Sequence, residues 1–293
     1  MMKKLAAFDL VLLGYIGIIT LVVLLWRPEG TLLYLAYHLA AAGLIALIVY
    51  AHDRFGGRFW TFCRYWYVLL PCAAAFREMH YLIPKVHSFD DHRFDFILRD
   101  LDRRWFGNVD GFFLSWPPSI MELLHFCYWF YFVSVLILGG VLYARQEWAK
   151  LREYLAVVIT GLLLSYLGYY LVPAIGPHHF YNPRPAVLDG VFAGAHLHQA
   201  ILAAEWSMPD AFPSGHALLS MIVIVMAWRL HRPTFNVVVG PATGCIIATM
   251  ALRYHYIVDV LASVAILPAA VFAGLALHRR REPRDNGSAT QNR

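Results

Sequence analysis

Charge is what this 293-residue chain has least of: Asp, Glu, Lys and Arg make up 15% of it, where soluble domains carry about 25%. With 60% of its residues hydrophobic, the chain cannot be an ordinary soluble globule, whose core is too small to hide so much apolar surface. Cysteine is also scarce. Cys63, Cys72, Cys127 and Cys245 lie apart, inside or beside apolar runs, without the spacing of a metal or redox centre; they say little about compartment. Internal repeats, heptad arrays and hinge-like linkers are absent as well. The net charge of +5 comes from short basic clusters between apolar runs. Basic residues so placed act as topology determinants and do not form a face for nucleic acid.

What is abundant is apolar sequence in lengths near the roughly 20 helical residues that cross a hydrocarbon core. Eight such segments run over 8–26, 31–50, 60–83, 118–143, 154–173, 212–230, 235–254 and 256–277. The expected fold is all-α, a polytopic membrane bundle of about eight spans. The third is the weakest, because Arg64, Arg77, Glu78 and His80 interrupt it and Pro71 should kink it. Parity supports it nonetheless. If all eight segments cross, Lys3 and Lys4, Arg54, Arg58 and Arg64, Arg145, Lys150 and Arg152, Arg229 and Arg232, and Arg279 to Arg281 with Arg284 all fall on one side. Lys and Arg mark the cytoplasmic side, so both termini are expected there, in a cell (inner) membrane protein. A cleaved signal peptide over Met1 to Trp26 is disfavoured, since no small-residue cleavage site follows it.

The long segments 84–117 and 174–211 then face outward. In the first, Phe94, Phe96, Ile97, Leu101, Trp105 and Phe106 suit a helix lying in the membrane interface. Three regions are expected: a membrane hairpin over 1–59, a catalytic membrane domain over 60–278, and a disordered cytoplasmic tail over 279–293, where the chain turns polar.

Two motifs carry the chemistry. Phe212-Pro213-Ser214-Gly215-His216 stands where an outer loop enters the sixth span. Proline suits a first helical turn, glycine permits close backbone approach, and unpaired amides at a helix start make an anion site. Ser214 and Gly215 are therefore candidate phosphate ligands, with His216 one residue inside. At the outer end of the seventh span, Arg253-Tyr254-His255-Tyr256 leads to Asp259, and the spacing of four puts His255 and Asp259 on one helical face. A carboxylate there can fix the imidazole tautomer and leave the other nitrogen free to attack phosphorus. The alternative is a structural polar pair, but ionisable groups near membrane depth are costly and usually functional. The orientation rests on Lys and Arg alone, independently of these residues, and it puts both motifs on the same outer face.

At these residues the chain resembles the type 2 phosphatidic acid phosphatase superfamily, membrane lipid-phosphate phosphatases that share a site with vanadium haloperoxidases. Pro213-Ser214-Gly215-His216 looks like the family's second motif, and His255 with Asp259 like its third. The resemblance implies a six-helix phosphatase-type core in which His255 is the nucleophile, Asp259 orients it and His216 is the general acid, with no cofactor and no metal. Two departures stand out. Arg184-Pro185 fits the end of the first motif, but Pro177 occupies its lysine position, so His178 or Arg184 becomes the candidate phosphate donor. The third motif's arginine normally lies six residues before the histidine, where this chain has Thr249. Arg253 is only two before, and on a continuous helix that offset points about 200° away, so Arg253 binds phosphate only if the helix ends near Leu252. These departures, with Pro173 to Pro177, Asp102-Arg103-Arg104-Trp105-Phe106-Gly107, Glu122 and Tyr128, resemble the branch containing inositol phosphorylceramide synthases.

The leading expectation is a phosphatase acting on a lipid phosphate or polyprenyl diphosphate through a phosphohistidine. One alternative is a transferase that passes the phosphoryl or phospho-head-group to a lipid hydroxyl. Another is a transporter or binding protein without turnover, disfavoured because paired broken helices in two matching halves are not evident. His178, His179, His196 and His198 could offer a metal site but lack carboxylate or cysteine partners at ligand spacing.

Overall fold

The computed structural model describes residues 4–87, 93–179, 184–205 and 209–282, and among them helix is the only regular structure besides turns. In chain order the helices are α1 (Ala7–Trp26), α2 (Thr31–Phe55), α3 (Gly57–Trp66), α4 (Leu69–Val86), α5 (Arg93–Phe106), α6 (Val109–Leu114), α7 (Pro118–Ala144), α8 (Trp148–Leu171), α9 (Gly194–Glu205), α10 (Gly215–Leu230), α11 (Arg232–Ala251) and α12 (Ile257–Arg281). Six of them, α1, α2, α7, α8, α11 and α12, are long and apolar enough to cross a membrane. The chain is an integral membrane protein.

The third expected span is in two pieces. Helix α3 ends at Trp66, Tyr67 and Val68 turn, and α4 resumes at Leu69. Pro71 thus sits in the first turn of α4, where a missing N–H costs nothing, and the break precedes it instead of a kink centring on it. Two of the charges that made this segment weak, Arg64 and Glu78, are paired inside the bundle, while Arg77 is exposed. Arg64 donates to both oxygens of buried Asp9 in α1, and Glu78 meets His38 Nε2 of α2 at 2.7 Å. Ionisable side chains at membrane depth need such partners.

Other helices also depart from their expected bounds, among them α2, which runs on to Phe55, and α8, which starts at Trp148. Helix α10 starts at Gly215 and has 16 residues, about 24 Å of rise. Helix α11 is displaced toward the N-terminus: His231 caps it through Nδ1 and Thr234 N, and it stops at Ala251, not 254. Helix α12 continues through Arg281, past the expected start of the tail at 279, and residues 283–293 of that tail lie outside the described residues.

Helix α8 is central, burying Tyr154, Val157, Ile159 and Tyr166 and packing against α1, α4, α7, α10 and α12. Helix α7 packs along α11 and α10. Ion pairs of Lys4 with Asp53, Arg152 with Glu282 and Arg229 with Glu153 gather the basic clusters at one end of the bundle. The opposite end carries α5, α6, α9 and the turns after α8, before α10 and after α11. Helix α5 lies there with Phe94, Leu98 and Leu101 against Ala174, Ala211, Tyr256 and Val258, while Phe96, Ile97, Trp105 and Phe106 stay exposed, as an interfacial helix requires.

Candidate active site

The turn before α10 is stitched to the start of α12. Ser214 caps α10, its Oγ accepting from Ala217 N at 3.2 Å. Its own amide donates to the Asp259 carbonyl, and its carbonyl accepts from Ser263 Oγ at 2.8 Å. Pro213 therefore precedes the cap and does not occupy the first turn. The Gly215 amide bonds the Tyr169 hydroxyl, and a Cβ at 215 would lie 2.3 Å from that oxygen. No side chain fits there. The expected open cradle of amides is thus engaged from within the protein, at both Ser214 and Gly215.

Helix α11 gives way at Leu252, and Arg253 takes a left-handed conformation with φ of 68°. The helix therefore ends near Leu252, the condition set by the sequence for Arg253 to turn toward a phosphate. The Arg253 guanidinium grips Asp110 of α6 with Nε and Nη2 each 2.6 Å from an oxygen, a bidentate fork of the strong kind. Two residues on, His255 is buried, with Nδ1 2.8 Å from the Ala211 carbonyl and 3.5 Å from Asp259 Oδ2. A carbonyl only accepts, so Nδ1 carries the proton and Nε2 holds the lone pair. Asp259 is fully buried; Oδ2 accepts from Tyr256 N at 2.8 Å, so it caps α12 while standing beside the imidazole.

His216 and His255 come from different helix starts, yet their ring centroids are 6.2 Å apart. Helix α7 holds His216 in an aromatic frame: Tyr128 stacks on it at 4.5 Å and Tyr131 lies at 4.2 Å. Its Nε2 has no hydrogen-bond partner among the described residues.

The histidine pair stands between two unlike cavities. One, of about 480 Å³, is lined by His255, Arg253, Arg99, Arg103, Asp102, Asn108 and Asp110. The other, of about 420 Å³, is lined by His216, Asp210, Tyr131 and Tyr169 at one end and continues along α8 past Leu162, Val158 and Leu155 to Leu151. From Leu151 to Tyr169 is about 27 Å of helix, close to the roughly 30 Å of a hydrocarbon core.

Sequence reasoning missed several partners. Asp102 of α5 accepts the Ile257 and Val258 amides at 2.8 and 2.9 Å, capping the helix that carries Asp259; burial pushes its carboxyl up against the pull of those amides. Burial likewise pushes half-buried Asp210 up to about 6, with His255 pulling the other way. Neither the Ala211 carbonyl nor Asp210 belongs to a recognisable spacing, so no local signal announces them. Arg184 is turned to Asp189 and the Leu188 carbonyl, and His178 packs edge-on to Tyr254; neither lines the polar cavity. His198 reaches Tyr254 OH at 2.7 Å and His196 is exposed; among the described residues no three His, Cys, Asp or Glu side chains gather as a metal cage. Glu122 anchors the loop ahead of α9, accepting the amides of Val191, Phe192, Ala193 and Gly194.

Fold and site together define a polytopic helical membrane protein with a two-histidine centre joining a cationic chamber to an apolar groove. The chain belongs to the PAP2 superfamily, whose family model matches residues 97–273. It is also 28% identical over 183 residues to a PA-phosphatase related-family protein of Dictyostelium discoideum, covering 56% of this chain and 32% of that relative. The chain thus spans about a third of that relative's length. No solved structure matches.

Proposed function

We propose that this protein is a membrane phosphatase for a lipid phosphate or polyprenyl diphosphate, working through a phosphohistidine. The observation that carries the reading is the pair of cavities meeting at the histidines: a charged chamber beside His255 suits the phosphate, and a groove nearly as long as a bilayer core beside His216 suits a hydrocarbon chain. His255 Nε2 attacks phosphorus, the bond to the lipid oxygen breaks, and His216 Nε2 gives that oxygen its proton. Water then attacks the phosphohistidine, His216 takes up a proton and free phosphate leaves. Ala211 and Asp259 orient the nucleophile, and of the phosphate ligands expected from the sequence Arg253 lines the charged chamber, whereas the Ser214 and Gly215 amides are engaged and Arg184 and His178 lie outside its lining. The Lys and Arg bias argues for an outward-facing site with cytoplasmic termini in the cell membrane. Residues 60–278 are read as the catalytic domain and 1–59 as an added hairpin.

One observation favours a second reading, transfer of a phosphoryl or phospho-head-group to a lipid hydroxyl. At about 480 Å³ the polar chamber falls in the size class that holds whole small molecules, about 300–1,000 Å³, with room beyond a bare phosphate. The product separates the two. Purified protein in lipid vesicles is given phosphatidate, lysophosphatidate, sphingoid phosphates and polyprenyl diphosphates, with and without a lipid alcohol. Free phosphate supports hydrolysis; its absence, with label moving to the alcohol, replaces hydrolysis by transfer. His255→Ala and His216→Ala should each lower turnover by a factor on the order of 10² or more with membrane insertion intact, and full activity in either variant would overturn the mechanism.

A further inference from the structure

The chain lacks the lysine that the family resemblance leads one to expect at position 177, and the start of each site helix has amides already engaged. Ala217 N bonds Ser214 Oγ, Gly215 N bonds Tyr169, and the Ile257 and Val258 amides bond Asp102. With those amides taken, the charged side chains that line the polar chamber are the donors left to hold an anion there. We propose that Arg99 and Arg103 of α5 are the principal phosphate ligands of this chamber, supplying the charge that the first motif does not; this rests on the phosphate reading above.

Both residues line the chamber with His255 and Arg253. They are four apart, hence neighbours on one face. Helix α5 is fixed against the site by the adjoining face: Asp95 accepts the Ile175 and Gly176 amides, Leu98 is buried, and Asp102 holds the start of α12. The guanidinium groups are therefore presented from a docked helix. Their availability differs from that of Arg253, which Asp110 grips at 2.6 Å. Arg99 stands 3.5 Å from Asp100 and its Nε is buried with no acceptor among the described residues. Arg103 forms no ion pair among the described residues. Two planar forks with free donors match the tetrahedral oxygens of a phosphate ester.

Inorganic phosphate is the probe, and its binding to the purified full-length protein is measured by calorimetry, which needs no turnover. Arg99→Ala and Arg103→Ala should each weaken phosphate about tenfold or more, as loss of a charge-assisted bond implies, and should raise KM for phosphorylated lipid in the same proportion. Arg104→Ala, on the same helix but outside the chamber lining, should change neither. The double lysine variant, which keeps charge without the fork, should recover part of the affinity and so separates a lost ligand from a lost fold. A double alanine variant that binds phosphate as tightly as wild type overturns the proposal. A wild type that binds phosphate through these arginines yet turns over no phosphorylated lipid leaves this clamp standing and removes the phosphatase reading instead.

Discussion

The backbone carbonyl of Ala211, not the carboxylate of Asp259, makes the closer contact with His255, at 2.8 Å against 3.5 Å. Orientation of the imidazole is thereby shared between a loop carbonyl and a helix carboxylate. Asp259 has a second task, since Oδ2 accepts the Tyr256 amide at the start of α12.

Asp259→Asn keeps an acceptor for that amide but removes the charge beside His255. It should lower kcat about 10–100-fold, the usual cost of losing an outer partner, with little change in KM or thermal midpoint. Asp259→Ala should also lose about 1 kcal/mol of stability with the cap. Steady-state kinetics and thermal unfolding in detergent separate the two effects. A loss in the asparagine variant as deep as that of His255→Ala would show that the Ala211 contact does little to orient the ring.

Gly215 is set by the Tyr169 hydroxyl, which a Cβ would approach to 2.3 Å. Gly215→Ala should cost about 1–3 kcal/mol through overpacking and displace His216 enough to depress turnover. Adding Tyr169→Phe removes the opposing oxygen and should restore most of the loss. If the double variant is no better than the single one, the steric account is wrong.

Glu122 fastens the loop ahead of α9 by accepting four successive amides, and Gly190 beside it has φ of 74° with a Cβ position 2.2 Å from Glu122 Oε2. Glu122→Ala leaves these donors without an acceptor at about 1–3 kcal/mol for each one that stays buried. The thermal midpoint should fall, and limited proteolysis should begin within 190–205. Unchanged cleavage there would mean that the loop is held by other contacts.

Acid should loosen the same loop through His198. Its imidazole bonds the Tyr254 hydroxyl, and burial draws its pKa from 6.5 down to about 4, with Arg184 and His125 adding to the fall. The unfolded chain therefore binds the proton first, so this contribution to stability is complete above pH 6.5 and is lost as pH falls toward 4. Thermal midpoints measured across that window should decline in wild type and decline less in His198→Gln. Parallel slopes would exclude His198 as the titrating group.

Much of the fold was legible in the sequence, because apolar length and breaker residues act locally. The membrane class, six of the eight expected spans as helices of full length, the two-faced apolar pattern of α5 and the weakness of the third span all follow from segment composition. The nearness of His255 and Asp259 and the turn at Ser214 to His216 were local signals too, although His255 stands in the bend before α12 and not on a shared helical face, so the pair meets through the cap of α12. Ends fixed by side-chain caps were harder to read, as His231 shifting α11 and Ser214 delaying α10 illustrate.

Tertiary packing alone decided what surrounds the histidines. It set His216 and His255 6.2 Å apart, brought Asp110 to Arg253 across 143 residues of chain and Asp102 to Val258 across 156, and opened one cavity on each side of the pair. A sequence determines which segments must leave water and which residues can carry a proton or a charge. Which of those residues meet is decided by helix packing, because hydrogen bonds between distant segments leave no periodicity or spacing to read.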